Sequence, residues 1–300
     1  MNQEFILSII VPHKNNLNGL ERLLKSIPEI NDLEIIIVDD KSIDQASVER
    51  ISLKHRCAKL YKNNSDESNA GVARNIGISY SKGRWLFFAD SDDYFISDKF
   101  DCLLSAIEGD ELKEIVFFPP INDGDMVGRD RTSGYRKMID LYLSDGCEDG
   151  LRYCWSPPWS KLILKKIIVD NCIRFSSQKY GNDVLFSVKC GASTKYMKVS
   201  KCPIYAVTVR HGSLTSGMSQ EKAIDRLNAL IDRNHLLKKM QKQCLMQNGL
   251  TLFYSSFSWK KPFSAIHAKY IYQLMDVICQ KLFCKNKVTP GLKNALKSFS

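Results

Sequence analysis

The sequence predicts an α/β protein built on a doubly wound, mostly parallel sheet flanked by helices, and three observations carry that prediction. Short β-branched or continuously apolar runs alternate with helical periodicities through the first hundred residues. Two of these runs read as buried strands: LEIIIV at 33–38, and WLFFA at 85–89, which is apolar without alternation, as strands covered on both faces are. Both lead directly into carboxylates, Asp39-Asp40 and Asp90-Ser91-Asp92-Asp93. Parallel strands carry such groups to one rim, the C-terminal rim where open α/β sheets bind ligands.

Each element follows in order. SIIV at 8–11 is a short β-branched strand stopped by Pro12. Leu20, Leu23, Leu24 and Ile27 repeat at helical spacing and predict a helix over 18–27 with Asn18 as its N-cap. After the strand at 33–38 come a helix over about 44–53, a weaker strand near 58–61 and a polar loop at Asn63-Asn64-Ser65. A helix at 70–79 precedes the central strand, and 114–118 is expected to close this half of the sheet. Right-handed crossovers join the parallel strands.

Bulk properties bound the function. Three hundred residues, 44% hydrophobic and 25% charged, suit a globular protein of about two domains. No apolar run reaches the ~18 residues of a membrane span and no basic leader opens the chain, so a cytoplasmic protein is expected. The ten cysteines include no C-x-x-C pair and are expected to be reduced thiols. The net charge of +10 is confined to one end: residues 1–215 hold 29 basic and 29 acidic residues, and 216–300 hold 14 and 4. A neutral body with a basic tail is unlike a uniformly basic nucleic-acid binder, and no nucleic-acid partner is expected.

Asp90, Asp92 and Asp93 place three carboxylates within four positions. Such groups repel unless a cation or a hydrogen-bond network offsets them. Mg2+ or Mn2+ prefers such oxygen ligands and bridges to phosphates. The competing reading is a solvated acidic turn that caps the next helix.

Four segments, in order, then carry a resemblance: SIIVPHKN at 8–15, IIIVDDKSID at 35–44, NAGVARNIG at 69–77 and GRWLFFADSDD at 83–93. They resemble the opening strand, V-D-D-G-S-x-D, G-x-x-x-A-R-N-x-G and D-x-D stretches of family 2 glycosyltransferases, which have the Rossmann-like GT-A fold. The resemblance implies a nucleotide-sugar-binding half at 1–110, an acceptor-binding half at 111–215 and a basic helical extension at 216–300. Pro12 and the loop to Asn15 would line the nucleotide pocket. Asp39 would accept from uracil N3, which favours UDP-sugars, and Asp40 would lie near the ribose unless it and Ser42 serve only the turn. Lys41 stands where the family has Gly. Arg74 would contact the diphosphate or brace Asp90. Asp92 would be the direct ligand of Mn2+ or Mg2+. Asp90 would bind the donor or share the metal, and Asp93 would cap the helix near Ser97.

The second half resembles the family more loosely. Trp155 and Trp159, in WSPPWSK, would stack on the acceptor sugar or else belong to the core. RFSSQKYGNDVLF at 174–186 is similar to the family's E-D-x-x-F region, with Asn182 in place of Glu on the acceptor side and Asp183 as the general base. Loss of that Glu charge is expected to leave the Asp183 pKa less raised than in a paired site. VTVRHGSLT at 207–215 would bring Arg210 to the leaving diphosphate and His211 to the metal. Helices expected over 219–247 and about 264–284 combine apolar stripes with lysines, fitting either contact with anionic membrane or a cap on the catalytic domain.

The function implied is inverting transfer of a hexose or N-acetylhexosamine from a UDP-sugar to a hydroxyl of a glycan or lipid-linked glycan acceptor in surface-polysaccharide synthesis. Two other classes stay open. A nucleotidyltransferase would need an N-terminal Gly-rich loop that SIIVPHKNN lacks, and a non-enzymatic basic binder would have no use for the carboxylate sites.

Overall fold

The computed structural model describes residues 5–109, 112–124, 130–208 and 218–256, with 266–267, 269–271, 273–274 and 291–292. The first half runs β1 (Leu7–His13), α1 (Leu17–Lys25), β2 (Leu33–Asp39), α2 (Gln45–Ser52), β3 (Ala58–Lys62), α3 (Ala70–Tyr80) and β4 (Trp85–Phe88). Then come β5 (Tyr94–Phe95), α4 (Phe100–Ile107), β6 (Ile115–Phe117), β7 (Pro120–Asp123), α5 (Ser133–Asp145) and α6 (Asp149–Tyr153). β8 (Lys161–Leu164), α7 (Lys165–Asp170), α8 (Asn182–Ser193), β9 (Met197–Val199), β10 (Tyr205–Thr208), α9 (Gln220–Lys239) and α10 (Leu250–Ser255) follow.

The main sheet has the order β3-β2-β1-β4-β8-β6-β9. β1 pairs in parallel with β2 and β4, and β2 with β3, as the alternation of elements requires. β1, β2 and β4 are buried along their whole length, which accounts for the apolar runs Ile9–Val11, Ile35–Val38 and Trp85–Phe88. The expectation that 114–118 closes the first half is corrected. β8 lies between β4 and β6, antiparallel to both, because Leu162 and Ile163 supply a fully buried strand from much later in the chain.

Caps fix where the helices begin. Asn16, not Asn18, caps α1, accepting from the Gly19 amide at 3.2 Å. Asp44 caps α2 and Asn69 caps α3, each accepting at 3.0 Å from the amide three residues on. Gly71 in α3 lets the loop ahead of α8 approach, since a Cβ there would meet the Ser176 carbonyl oxygen at 2.5 Å. α3 therefore touches both the central strands and the segment that carries Asp183.

A second sheet, β5-β10-β7, packs on the central strand, with the Phe87 ring 5.0 Å from Phe95 and 5.5 Å from Tyr205. The reduced-thiol expectation is also corrected, because Cys102 and Cys202 form a disulfide between α4 and the segment before β10. Their Cα atoms stand 6.4 Å apart, within bridging range, although 100 residues separate them. Cys57, Cys147, Cys154, Cys172 and Cys190 are free thiols.

The expected helix over 219–247 ends as α9 at Lys239, and Gln241 then turns with φ 57°. Leu227, Leu230, Ile231 and Leu237 of α9 are buried, and Arg233 donates to the Tyr153 carbonyl at 3.1 Å. The apolar face of α9 is thus occupied by the main core and by Tyr270, and not available to a membrane. Most of the expected helix over 264–284 lies outside the described residues. Among the described residues no helix is long and apolar enough to cross a membrane.

Candidate active site

A cavity of about 870 Å³ opens at the C-terminal rim of β1 and β4, walled on the far side by the start of α8 and by α9. It collects Pro12, Asp40, Arg74, Asp90, Asp92, Asn182 and Asp183 from segments up to 171 residues apart. Trp159 touches its edge.

The carboxylate cluster is built around a buried acid. Asp93 is 2% exposed; its Oδ2 accepts from the Tyr205 hydroxyl at 3.0 Å and its Oδ1 from the Thr208 amide at 2.8 Å. The same Tyr205 oxygen accepts from the Asp90 amide at 2.9 Å, so one phenol fixes both ends of the turn. Burial, followed by repulsion from Asp90 and Asp92, pushes the Asp93 carboxyl well above the usual carboxylate range. Asp93 is therefore no helix cap, which corrects that expectation; β10 holds it. Arg22 of α1 donates to the Asp92 carbonyl and, at 2.7 Å, to the Thr208 hydroxyl, tightening the same turn.

Carboxylate oxygens of Asp90, Asp92 and Asp93 all lie within 4.8 Å of one another. An all-oxygen set carrying excess negative charge fits Mg2+ or Mn2+. Asp93 accepts bonds from Tyr205 and Thr208 through both oxygens and is the most buried of the three; Asp90 and Asp92, more exposed, could hold the ion.

Arg74 joins the two walls. Its Nη2 donates to Asp90 Oδ1 at 2.6 Å and its Nη1 to Asn182 Oδ1 at 3.2 Å, with the side chain almost wholly buried. Of the two roles expected for Arg74, the brace to Asp90 is the one formed. The Asn182 amide is fully engaged, since its nitrogen donates to the Gln178 carbonyl at 3.2 Å and the Lys179 carbonyl at 3.4 Å. Asn182 consequently holds Arg74 in place and is no free contact for an acceptor, which corrects its assignment.

Asp183 follows in the first turn of α8, which starts from Gly181 in the left-handed conformation at φ 76°. Burial pushes its carboxyl up, Arg74 opposes, Asp90 adds to the rise, and Lys161 opposes. Burial thus dominates even with Asn182 in place of an acid. Lys161, the last residue of WSPPWSK, also lies close to Asp183. It is 2% exposed, donates to the Trp155 carbonyl at 3.3 Å and Ser187 Oγ at 3.0 Å, and burial lowers its ammonium to about 8.

At the C-terminal end of β2, Asp39 is 1% exposed, with Oδ2 accepting from the Ser42 amide at 3.3 Å and Oδ1 lacking a hydrogen-bond partner. His13, its register partner on β1, is equally buried with both ring nitrogens unpartnered. Burial lowers the His13 pKa, partly offset by Asp39. Asp40 accepts from Asn63 Nδ2 at 2.6 Å and Ser68 Oγ at 2.9 Å while still lining the cavity. Lys41 adopts φ 62°, the left-handed conformation for which Gly would be the natural choice.

Trp155 does not reach the cavity. It is 1% exposed, 4.8 Å from the Tyr135 ring and 5.2 Å from Phe117, and Trp159 is 3% exposed beside the same Tyr135. The proposed acceptor-stacking faces are buried against other rings, which corrects that assignment in favour of the core. Arg210 and His211 lie outside the described residues.

A mixed sheet with carboxylates at the rim of its parallel half and an acid on the facing helix defines a nucleotide-diphospho-sugar transferase of the GT-A class. Residues 8–166 match the family described as Glycosyl transferase family 2, and the chain belongs to it. It is therefore a glycosyltransferase. Among curated proteins it is 23% identical over 287 residues to the poly(ribitol-phosphate) beta-N-acetylglucosaminyltransferase TarP of Staphylococcus aureus, covering 88% of this chain and 84% of that one. It is 28% identical over 133 residues to the Escherichia coli UDP-Glc:alpha-D-GlcNAc-diphosphoundecaprenol beta-1,3-glucosyltransferase WfgD, a match covering 42% of this chain and 51% of WfgD. Of solved structures, S. aureus TarS 1–349 with UDP-GlcNAc superposes with TM-score 0.65 at 19% identity, covering 91% of this chain and 80% of that one. A mannosyltransferase from Pyrobaculum calidifontis with GDP-Man and Mn2+ gives 0.53 at 12%, covering 97% and 79%.

Proposed function

We propose that this enzyme transfers a hexose or N-acetylhexosamine from a UDP-sugar, with inversion, to a hydroxyl of a glycan or lipid-linked glycan destined for lipopolysaccharide, O-antigen or capsule. One observation carries the reading: Asp183 and the Asp90–Asp92 pair face a single cavity from opposite walls, with Arg74 tied to both walls. The donor would lie along the β1 and β4 rim. Asp39 offers a buried, unpartnered acceptor oxygen, which suits the N3–H of uracil. The TarS complex with UDP-GlcNAc favours the same nucleotide.

In the transfer, Asp183 takes the proton of the acceptor hydroxyl as that oxygen bonds to the anomeric carbon and the bond to the UDP β-phosphate oxygen breaks. A carboxyl whose proton affinity is raised by burial is a better base for an alcohol than an exposed one. Mn2+ or Mg2+, held by Asp92 and Asp90, would neutralise charge growing on the departing diphosphate. Arg74 orients Asp90, and Tyr205 fixes the turn that presents Asp92.

The test is UDP release from a panel of UDP-sugars with Mn2+ or with EDTA. Mn2+-dependent release from one donor, lost in Asp92→Ala, is expected. No release from any donor, together with no UDP–Mn2+ binding by calorimetry, would overturn the reading.

A further inference from the structure

Asp183 shares its cavity with two guanidinium groups that the transfer as described does not use. Arg131, just ahead of α5, and Arg226, in the second turn of α9, both line it. The Arg131 backbone amide donates to Asn122 Oδ1, but neither guanidinium pairs with a carboxylate among the described residues. Arg226 is half-buried: burial works against its charge, Asp183 supports it, and Arg131 works against it. Arg233, two turns further along α9, donates to the Tyr153 and Leu245 carbonyls and adds positive charge without a carboxylate of its own.

Asp183 cannot balance this group through the reaction. It is one carboxylate facing two guanidinium groups, and it loses its charge on taking the acceptor proton. Like charges held together in a half-buried wall are costly unless an anion joins them. The donor diphosphate would lie towards the opposite wall, beside Asp90, Asp92 and Arg74. The missing anion therefore belongs on the acceptor side. Paired guanidinium groups match the several oxygens of a phosphate, each offering two parallel N–H donors.

We infer that the acceptor carries a phosphate group, as a phosphodiester or a glycosyl diphosphate, beside the hydroxyl that Asp183 deprotonates, and that Arg131 and Arg226 hold it. This rests on the glycosyltransferase reading of the same cavity, which wild-type UDP release without acceptor tests separately.

The experiment is calorimetric titration of the full-length chain, saturated with UDP and Mn2+, with three probes. They are a glycerol-phosphate tetramer, the uncharged glycerol tetramer, and N-acetylglucosamine 1-diphosphate esterified to a hexyl chain. At least one phosphate probe is expected to bind, at least tenfold more weakly in Arg226→Gln and in Arg131→Gln, with Arg226→Lys in between. The uncharged tetramer is expected not to bind. Preference for the tetramer identifies a phosphodiester polymer, and preference for the diphosphate a lipid-linked precursor. Thermal melts confirm that each variant is folded, and the Arg131 and Arg226 variants provide two independent tests. The inference is overturned if no phosphate probe binds the wild type or if the uncharged tetramer binds as well. It also fails if folded variants keep wild-type affinity, or lose UDP–Mn2+ affinity as steeply as probe affinity. The last result would assign the pair to the donor. A shifted acid limb in the pH profile of UDP release, with probe binding unchanged, would leave Arg226 only an electrostatic partner of Asp183.

Discussion

Replacing Arg74 by Met should separate the electrostatic and structural duties of the residue that links the two walls. Arg74 is 7% exposed on its side chain and pairs at 2.6 Å with Asp90, which is 32% exposed. Breaking a fully buried pair costs about 3–5 kcal/mol, and the partial exposure of Asp90 brings the expected loss to roughly 2 kcal/mol. Urea melts read that number. Two further effects follow from the sign of the charge. Arg74 holds the Asp183 carboxyl down against burial, so its removal raises that pKa further. Since the base must be ionised to work, UDP release should fall away at a higher pH on the acid side than in the wild type. Removal also frees Asp90 from its cationic partner, so Mn2+ should bind the variant more tightly even as turnover drops. A variant with unchanged stability, an unmoved acid limb and weaker Mn2+ binding would refute the coupling of the two walls through Arg74.

Other outcomes follow from single residues. Because the folded-state pKa of Asp93 is raised, its contribution to stability is complete below the unfolded value, about 4, and is lost as pH rises through the folded one. Metal-free Asp93→Asn should accordingly melt above wild type at neutral pH and gain less from added Mn2+; equal melting in EDTA would contradict this. Lys41→Gly should stabilise the chain by about 1 kcal/mol in denaturant melts, since φ 62° costs a residue with a Cβ about that much. Trp155→Ala should cost about 3–5 kcal/mol of stability while the folded fraction keeps its acceptor KM, as a core ring and not a stacking platform would.

Most local features were legible in the sequence, although the α1 cap falls on Asn16 two positions before Asn18 and Asp93 caps no helix. The parallel strands, the acids at their ends and the helix starts at Asp44 and Asn69 depend on residues within one turn or one strand of each other. Features made by distant partners were hidden. Nothing near Leu162 says that β8 enters the sheet between β4 and β6, and nothing near Cys102 points to Cys202. The Asp93–Tyr205 and Arg74–Asn182 bonds join residues 112 and 108 positions apart, beyond any period in the chain. Trp155 and Trp159 misled because an aromatic residue beside a motif has the same letter in a core as at a sugar site; only burial separates them. Lys161 gave no signal for a related reason, since a lysine entering a strand is ordinarily exposed.

The most direct test of the division of labour is a side-by-side comparison of Asp183→Asn and Asp92→Ala. UDP–Mn2+ binding is measured by calorimetry and UDP release with the preferred donor by rate. The geometry predicts that Asp183→Asn binds UDP–Mn2+ as the wild type does while release falls about 10²–10⁴-fold, and that Asp92→Ala loses metal-dependent binding itself. Wild-type release from Asp183→Asn, with the variant folded, would contradict the assignment of Asp183 as the base.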